Sequence, residues 1–300
     1  MTFLRWVLLI ARNEWGDAFR SRRALVILLL YLSAAVLSMN GLLSGILRLE
    51  KELGEMLLLS ASPEPGAVID ALWNSARFRD IVAGMVRSES LAAELIGVSP
   101  VALAFAGLAF LYLPFLVALI APVRVSEELA GGAVRYVLLR APRLAWSLGK
   151  FLGQILFVIA GLLLSALGAW IITAIRLPAA NHLAIGWSLL EWTARVGIYG
   201  VAYTGLALGV AHLTRSPGRA TALALFAVIG MSLLAWASTT YDDSWLRGIG
   251  PILYQLTPQA YRSDLWRQST AYILPSALAL LCLGFSYLLA GYAAFRRRDV

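Results

Sequence analysis

The chain has 300 residues, of which 60% are hydrophobic and 14% are charged, and its mean hydropathy is +0.77. An average soluble domain is about 45–50% apolar and about 25% charged, so this composition excludes an ordinary soluble protein and predicts a polytopic membrane protein. The net charge of +8 fits basic residues that face anionic membrane lipid, and we expect no nucleic-acid partner.

Residues 1–23 precede the first long apolar run and have the pattern of an amphipathic helix. Apolar residues recur at helical spacing at Phe3, Leu4, Val7, Leu8, Ala11, Trp15 and Ala18. The opposite side holds Arg5, Arg12, Asn13, Gly16 and Arg20. We predict an elbow helix that lies in the inner membrane interface, with Arg20, Arg22 and Arg23 at the lipid headgroups.

Six apolar stretches are long enough to cross a bilayer, which needs roughly 20 apolar residues per helix. They are residues 24–47, 99–121, 151–175, 190–213, 220–238 and 271–294. The sequence therefore predicts an all-α fold with six transmembrane helices in a single transmembrane domain, residues 1–300. Its parts are the elbow 1–23, spans one and two in 24–121, a connector 122–150, and spans three to six with a basic tail in 151–300.

The distribution of positive charge sets the predicted orientation. With the elbow inside, the inner segments hold 15 of the 25 lysines and arginines, whereas the outer segments, which are longer in total, hold 9. Basic residues concentrate in cytoplasmic loops of membrane proteins. We therefore expect both termini to be cytoplasmic.

Two outer loops carry more than turn residues. In the loop 48–98, apolar residues recur at helical spacing between positions 69 and 85, which predicts short helices over the outer mouth. The loop 239–270 is rich in aromatic residues, as the outer membrane interface is. A break at Gly248–Pro251 together with Pro258 favours a hairpin that dips back into the membrane, and a surface loop is the alternative.

The sequence has little of the chemistry that a membrane enzyme or carrier needs. Neither His182 nor His212 belongs to an HExxH pattern, and no GxxxxGK[ST] phosphate-binding loop occurs. Cys282 is the single cysteine, which excludes a cysteine metal cluster. Glu191 and Arg195 predict an ion pair near the outer headgroups, and His212 is expected at the membrane interface. We expect no catalytic residue and no metal or cofactor on this chain.

Two pairs of glycines have the spacing that lets membrane helices approach closely. They are Gly41 with Gly45 and Gly205 with Gly209. Packing within the chain explains this spacing as well as contact between two copies does.

The connector 122–150 is too apolar at its centre for a plain solvent loop. A solvated loop would explain its charges but not the apolar run VRYVLL, so we predict a docking helix that contacts a soluble partner. The predicted order is an ion pair of Arg124 with Glu127 or Glu128, a break at Gly131 and Gly132, a short helix at 133–139 and a stop at Pro142.

This connector resembles the first cytoplasmic loop of ABC transporter permeases of the type-2 exporter class. The matching positions are the acids Glu127 and Glu128, Gly132, the turn residue Pro142, and the Gly-Lys pair Gly149 and Lys150, with Ala133 in place of the common Thr. The segment ARNEWGDAFRSRRAL resembles the elbow of that class and holds Glu14, Trp15, Arg20, Arg22 and Arg23. The tail, with Arg296 to Arg298 and Asp299, is similar to its basic tail. Within the class, the chain most resembles the subgroup that includes the permease for copper-site maturation of nitrous oxide reductase, from which its long loop 48–98 departs.

The resemblance implies a dimer of permeases, as a homodimer or with a related chain, in the cytoplasmic membrane of a bacterium or archaeon. Two cytosolic ATPase subunits would bind ATP and Mg²⁺, and a coupling helix at about 127–142 would carry their closure to the spans. The implied coupling residues are Glu127, Glu128, Gly132, Arg135, Tyr136, Leu139 and Pro142. Besides an exporter subunit, two alternatives stay open: a mechanotransmission subunit that moves an extracytoplasmic protein, and an ATP-independent carrier or membrane enzyme.

Overall fold

The computed structural model describes residues 2–56, 89–95, 98–240 and 244–297. In chain order the helices are α1 Phe3–Arg20, α2 Arg22–Met56, α3 Glu89–Leu95, α4 Pro100–Ala130, α5 Ala133–Leu138, α6 Arg143–Arg176, α7 His182–Ala211, α8 Pro217–Thr240, α9 Ser244–Gln255, α10 Arg262–Leu265 and α11 Thr270–Arg296. A short 3-10 helix, Pro258–Tyr261, precedes α10. The described residues contain no strand, so the predicted all-α fold is confirmed.

Six of these helices, α2, α4, α6, α7, α8 and α11, are long and apolar enough to cross a membrane, which confirms the six predicted spans. Several are longer than predicted: α4 continues to Ala130, and α6 begins at Arg143. Hydropathy marks only the part of a helix that lies in hydrocarbon, whereas its backbone hydrogen bonds continue into the headgroup region. The sequence-based bounds therefore fell short of the helix ends.

The alternating direction of the spans gives the bundle two sides, which we name by their most distinctive segments. The elbow side holds α1, α5 and the connection 212–216. The hairpin side holds the connection 177–181 and the segment 244–269.

α7 is the central helix of the bundle and packs against α4, α6, α8 and α11. Its contact with α11 is backbone to backbone, because a Cβ added to Gly205 would lie 2.0 Å from the carbonyl oxygen of Gly284. Gly209 is equally crowded by the backbone of α11. The glycine pair of α7 thus packs within the chain. A Cβ on Gly41 or Gly45 would meet no described atom within 4 Å.

The predicted elbow helix is present as α1, and its buried face overlaps the predicted apolar face in part. Val7, Ile10, Ala11, Glu14 and Ala18 are buried, and they face the start of α6. The predicted apolar residues on the other side are largely exposed: Phe3 by 45%, Leu4 by 65% and Leu8 by 53%. One side of α1 therefore covers protein, and the exposed apolar side suits contact with lipid.

The segment 244–269 folds back into the bundle. The Tyr287 hydroxyl donates to the carbonyl oxygen of Leu256, and Tyr287 lies about 25 Å along α11 from Thr270 at 1.5 Å per residue. The hairpin alternative therefore describes this segment better than a surface loop. The predicted break at Gly248–Pro251 is wrong, because α9 runs through Pro251 and the chain turns only after Gln255.

The helices predicted between residues 69 and 85 lie outside the described residues. The end of that outer loop is described as α3, and Glu94 on α3 anchors it to the hairpin. Glu94 accepts hydrogen bonds from Arg267 Nη1 at 3.1 Å and from the backbone N–H of Gln268 at 2.7 Å. The loop end is thus attached to the segment that leads into α11.

Candidate functional site

The connector forms a short helix that its glycines and prolines delimit. Gly132 adopts a left-handed backbone with φ of 69°, which a residue with a side chain rarely adopts, and this reverses the chain after α4. α5 follows, and Pro142 then precedes the first turn of α6. A helix is therefore present where the sequence predicted one, between Gly132 and Pro142.

α5 is attached to the bundle on one side and exposed on the other. Val134 is fully buried, at 0% exposure, and belongs to the apolar core. Tyr136 and Leu139 are 77% and 82% exposed, the highest values among the large apolar side chains of the described residues. Within the described part of the chain, the exposed side of α5 and of Leu139, the residue after it, is therefore an uncovered apolar surface.

The implied coupling residues divide between this surface and the interior. Glu128 is half-buried and points into the bundle, whereas the glycine turn at Gly132 is partly exposed. The remaining members are exposed: Glu127, Arg135, Tyr136, Leu139 and Pro142.

A buried ionic node, formed by Glu14, Arg124, Glu128 and Lys150, lies behind α5 and joins α1, α4 and α6. The Lys150 ammonium donates to the carboxylates of both Glu14 and Glu128. Arg124 Nε donates to Glu14 Oε1 at 3.3 Å, and Gln154 Nε2 donates to the same oxygen at 2.7 Å. The predicted pairing of Arg124 with Glu127 or Glu128 is therefore wrong, because the elbow helix supplies a deeper carboxylate.

The node is electrically balanced, since two carboxylates face two cations. Glu14 is 2% exposed and Lys150 is 4% exposed. Charges this far from water are tolerated only when they are paired and hydrogen-bonded. The node therefore fixes α1 against α4 and α6.

Two glycines of α6 allow α1 to approach this closely, and their spacing is a sequence signal for the contact. A Cβ on Gly149 would lie 2.6 Å from the Cβ of Ile10, and one on Gly153 would lie 2.7 Å from the Cβ of Glu14. Gly149 and Gly153 are one helical turn apart and form a notch in α6 that accepts α1. Glu14 was predicted at the membrane interface, and its burial follows from this notch.

An aromatic cluster lies beside the node where α6, α7 and α11 meet. Trp146 Nε1 donates to Glu128 Oε2 at 3.0 Å, and its ring centre is 5.7 Å from that of His212 and 5.4 Å from that of Phe295. Arg143 Nη1 donates to the carbonyl oxygen of Arg296 at 3.0 Å. The cluster therefore connects the connector to the end of α11.

His212 lies at the end of α7, as predicted, but it is fully buried. Its Nδ1 lies 2.6 Å from the Leu208 carbonyl oxygen, which accepts a hydrogen bond from it, and its Nε2 lies 3.2 Å from Ser147 Oγ. Burial lowers the pKa of His212 to about 4, and the Leu208 hydrogen bond opposes this only in part. His212 is therefore neutral at pH 7.

A cleft of about 550 Å³ lies between the elbow and α5. The ionic node contributes Glu14, Glu128 and Lys150 to its lining, and α5 contributes Tyr136. Apolar and charged groups are thus both available to a partner that approaches the elbow side.

The hairpin side has a separate polar cluster centred on Arg195 of α7. Arg195 is 5% exposed and donates to the carbonyl oxygens of Leu265 at 3.0 Å and Arg267 at 2.8 Å. It also pairs with Glu191, which confirms the predicted ion pair, and its guanidinium lies 4.6 Å from the ring centre of Trp192. The sequence did not reveal that Arg195 anchors the end of the hairpin.

Within the described part of the chain, no group of three or more His, Cys, Asp or Glu side chains is placed to hold a metal ion. His182 is the first residue of α7, and its Nε2 is 3.2 Å from the Pro178 carbonyl oxygen.

Comparison with known proteins identifies the family. No curated protein matches the chain. The family model of the ABC-2 family transporter proteins matches residues 8–300, which include most of the elbow, the connector and every span. The chain therefore belongs to the ABC-2 transporter family and is a permease subunit of an ABC transporter.

Proposed function

We propose that the chain is the transmembrane subunit of an exporter that works as a homodimer with separate cytosolic ATPase subunits. The elbow side faces the cytoplasm, and α5 is the coupling helix, within the segment 127–142. The observation that carries this proposal is the exposed apolar surface of Tyr136 and Leu139 on a helix that is fixed to the bundle.

The attachment of α5 supports a transmitting role. Glu128 lies at the end of α4, just before the glycine turn into α5, and it is bonded to both Lys150 and Trp146 of α6. Through Lys150 the same node reaches Glu14 of the elbow helix. A displacement of α5 would therefore move α4, α6 and α1 together, which are the elements that a closing ATPase must move.

The exposed side of α5 supports a docking role. Tyrosine is enriched among the residues that dominate protein–protein binding energy. α4 continues to Ala130, past the end of its predicted apolar stretch at residue 121, before α5 begins. The apolar surface of α5 therefore lies beyond the lipid hydrocarbon, and a protein partner is the cover that fits it. The Arg135 side chain, also exposed, adds a charge at the rim of this surface.

Co-purification of the chain with its ATPase tests the proposal. We expect Tyr136→Ser and Leu139→Ser each to weaken ATPase association by roughly tenfold, with ATP turnover in nanodiscs reduced in step. Leu213→Ser is the matched control, because Leu213 is 44% exposed in the other elbow-side connection. Retention of the ATPase by the two α5 variants would show that α5 is not the docking helix.

Proline at Gly132 is unsuitable for this test. Proline fixes φ near −65°, whereas Gly132 has φ of 69°. Gly132→Pro would therefore disturb the turn itself, and a loss of ATPase binding could not be assigned to the contact surface.

Mechanotransmission is the second candidate, because α3 is attached to the hairpin. Glu94 bonds to Arg267 and Gln268, and the Arg267 carbonyl in turn accepts from Arg195 of the central helix. Movement of the spans would thus reach the end of the loop 48–98, where an extracytoplasmic partner could bind. Deletion of residues 57–88 should abolish partner binding and leave ATPase association intact if this candidate is correct.

The resemblance to the subgroup that includes the permease for copper-site maturation of nitrous oxide reductase remains a hypothesis. It is supported by the elbow and connector motifs, and the long loop 48–98 argues for a different outer partner. An ATP-independent carrier would be active in liposomes that contain this chain alone, so such activity would contradict the proposal.

A further inference from the structure

The hairpin places a charged residue at the depth of the membrane-spanning helices. Arg262 lies in the chain between Leu256, which bonds to Tyr287, and Asp264, whose carboxylate accepts from Ser276 Oγ at 2.6 Å. Along α11 these two anchors lie about 25 Å and about 9 Å from Thr270, at 1.5 Å per residue. Arg262 is therefore level with the spanning part of α11.

The surroundings of Arg262 on α7 agree with this depth. Its guanidinium lies within hydrogen-bonding reach of the Tyr199 hydroxyl. The hydroxyls of Tyr199 and Tyr203 lie 3.2 Å apart, and both side chains are buried. Tyr199 is near the middle of α7, about 25 Å from His182 and about 18 Å from Ala211. Arg262 thus faces a polar patch in the middle of the bundle.

Arg262 has its charge available for a ligand. Its side chain is exposed, and none of the ion pairs among the described residues includes it. Asp264, two residues further on, is directed at Ser276 of α11. The guanidinium has five N–H donors, and Tyr199 is the hydrogen-bond partner found for it among the described residues, so donors remain for a ligand at membrane depth.

A charged side chain at this depth does not face hydrocarbon. Charged groups inside membranes almost always face a water-filled cavity or the interior of an assembly. The hairpin also exposes Gln255 and Ser263, so this part of the surface is polar in more than one place. The hairpin surface around Arg262 therefore faces an aqueous path or a shared interior.

Apolar side chains accompany the charge on the same hairpin. Ile249, Ile252 and Leu256 are 52%, 60% and 50% exposed. A cation beside an apolar surface matches a molecule that carries both an oxyanion and a hydrocarbon part. A fixed positive charge in a path also favours anions over cations.

We propose that Arg262 is the anion-binding residue of a substrate subsite on the hairpin, and that the substrate is an amphiphile with a phosphate or carboxylate headgroup. The guanidinium donates to the headgroup oxygens, and the exposed isoleucines and Leu256 contact the hydrocarbon part. This inference rests on the proposed transport function. In a two-fold symmetric dimer, both copies of Arg262 would face the same substrate path.

Equilibrium binding of radiolabelled dodecyl phosphate to the full chain in phosphatidylcholine nanodiscs tests the proposal. We expect Arg262→Gln to weaken binding by about tenfold or more, because a hydrogen-bonded charge pair is lost. Arg262→Lys should keep binding within a few-fold of the wild type. Dodecylphosphocholine, with the same chain and a zwitterionic headgroup, should bind wild type and Arg262→Gln alike. The assay contains no ATPase, so failure of the coupling proposal leaves its result unchanged.

Arg219→Gln is the matched control, because Arg219 is an exposed arginine on the elbow side, at the start of α8. Equal losses in Arg219→Gln and Arg262→Gln, or undiminished binding to Arg262→Gln, would overturn the proposal. Dissociation of the dimer by Arg262→Gln would also overturn it, since Arg262 would then hold the second copy. Nanodiscs that contain phosphatidylglycerol distinguish the source of the oxyanion. If this lipid competes with dodecyl phosphate, a resident lipid headgroup reaches the site. If it does not compete, the site is selective for the added amphiphile.

Discussion

The chain buries a cation on each side of the bundle, and the two are compensated differently. On the elbow side, Lys150 donates to carboxylates from two other helices, Glu14 and Glu128. On the hairpin side, Arg195 donates to two backbone carbonyl oxygens as well as to Glu191, whose side chain is 53% exposed. The elbow side is therefore held by ion pairs, whereas the hairpin side is held mainly by hydrogen bonds from a cation to neutral carbonyl groups.

This difference indicates how firmly the elements on each side are joined. The elbow-side node joins residues that are far apart in sequence, so it makes α1, α4 and α6 one mechanical unit. The hairpin side joins α7 to a short segment that can move with it. Removal of one group from the node leaves an uncompensated buried charge, whereas removal of Arg195 leaves unpaired carbonyls and a carboxylate, Glu191, that is half exposed to solvent.

The largest predicted effect is that of Lys150→Met. Glu14 and Glu128 would face each other without the ammonium between them, so we expect a loss of about 3–5 kcal/mol in the free energy of unfolding. Unfolding in detergent measures this loss. The control combines Lys150→Met with Glu128→Gln, which leaves Glu14 paired with Arg124 and should recover most of the stability. No recovery in the double variant would mean that the node is not held by charge.

Arg195→Met should have a smaller effect than Lys150→Met. The carbonyls of Leu265 and Arg267 would lose their donor, and we expect a loss of about 2–3 kcal/mol. Arg195→Lys should recover part of it, since one cation remains but the forked geometry is lost. The two substitutions are compared by the same unfolding measurement. A loss from Arg195→Met that exceeds that from Lys150→Met would reverse the comparison drawn above.

The stability of the chain should depend on pH through His212, which is buried on the elbow side. Its pKa falls from an ordinary value of about 6.5 to about 4 in the folded chain. The unfolded chain therefore binds more protons between these values, so stability is full above about pH 6.5 and falls as the pH decreases towards 4. We expect a loss of about 2 kcal/mol between pH 7 and pH 5, measured by denaturant unfolding. His212→Gln should flatten this part of the profile, and an unchanged slope would contradict the assignment.

Glu94→Gln should have the smallest effect, because the Arg267–Glu94 pair is partly exposed, by 25% and 27% at the two side chains. We expect a loss of at most about 1 kcal/mol in the free energy of unfolding. Glu191→Gln serves as a second partly exposed carboxylate of the hairpin side. A loss as large as that from Arg195→Met would show that α3 is a principal support of the hairpin.

The features that hydropathy and turn residues determine could be predicted from the sequence. Six spans, the elbow helix and the short helix after Gly132 follow from apolar periodicity and from glycine and proline. The contact of Glu14 with Lys150 could not be predicted in this way, because it joins residues 136 positions apart. The spacing of Gly149 and Gly153 was a signal for it, since such a notch accepts a neighbouring helix.

The burial of His212 has a similar explanation. It follows the last turn of α7, where hydropathy places a residue at the membrane interface. Trp146 and Phe295, from two other helices, cover it there. Local sequence carries no information about which distant side chains cover a helix end, so the sequence located His212 at the end of the span but did not reveal its burial.

Site-specific photo-cross-linking in membranes tests the central claim most directly. The chain is expressed with its ATPase, and a benzophenone amino acid replaces Tyr136 or, as the control, Leu213. The account predicts a strong cross-link from position 136 to the ATPase and a weak one from position 213. A cross-link from position 213 alone, in a complex that still assembles, would contradict the assignment of α5 as the coupling helix.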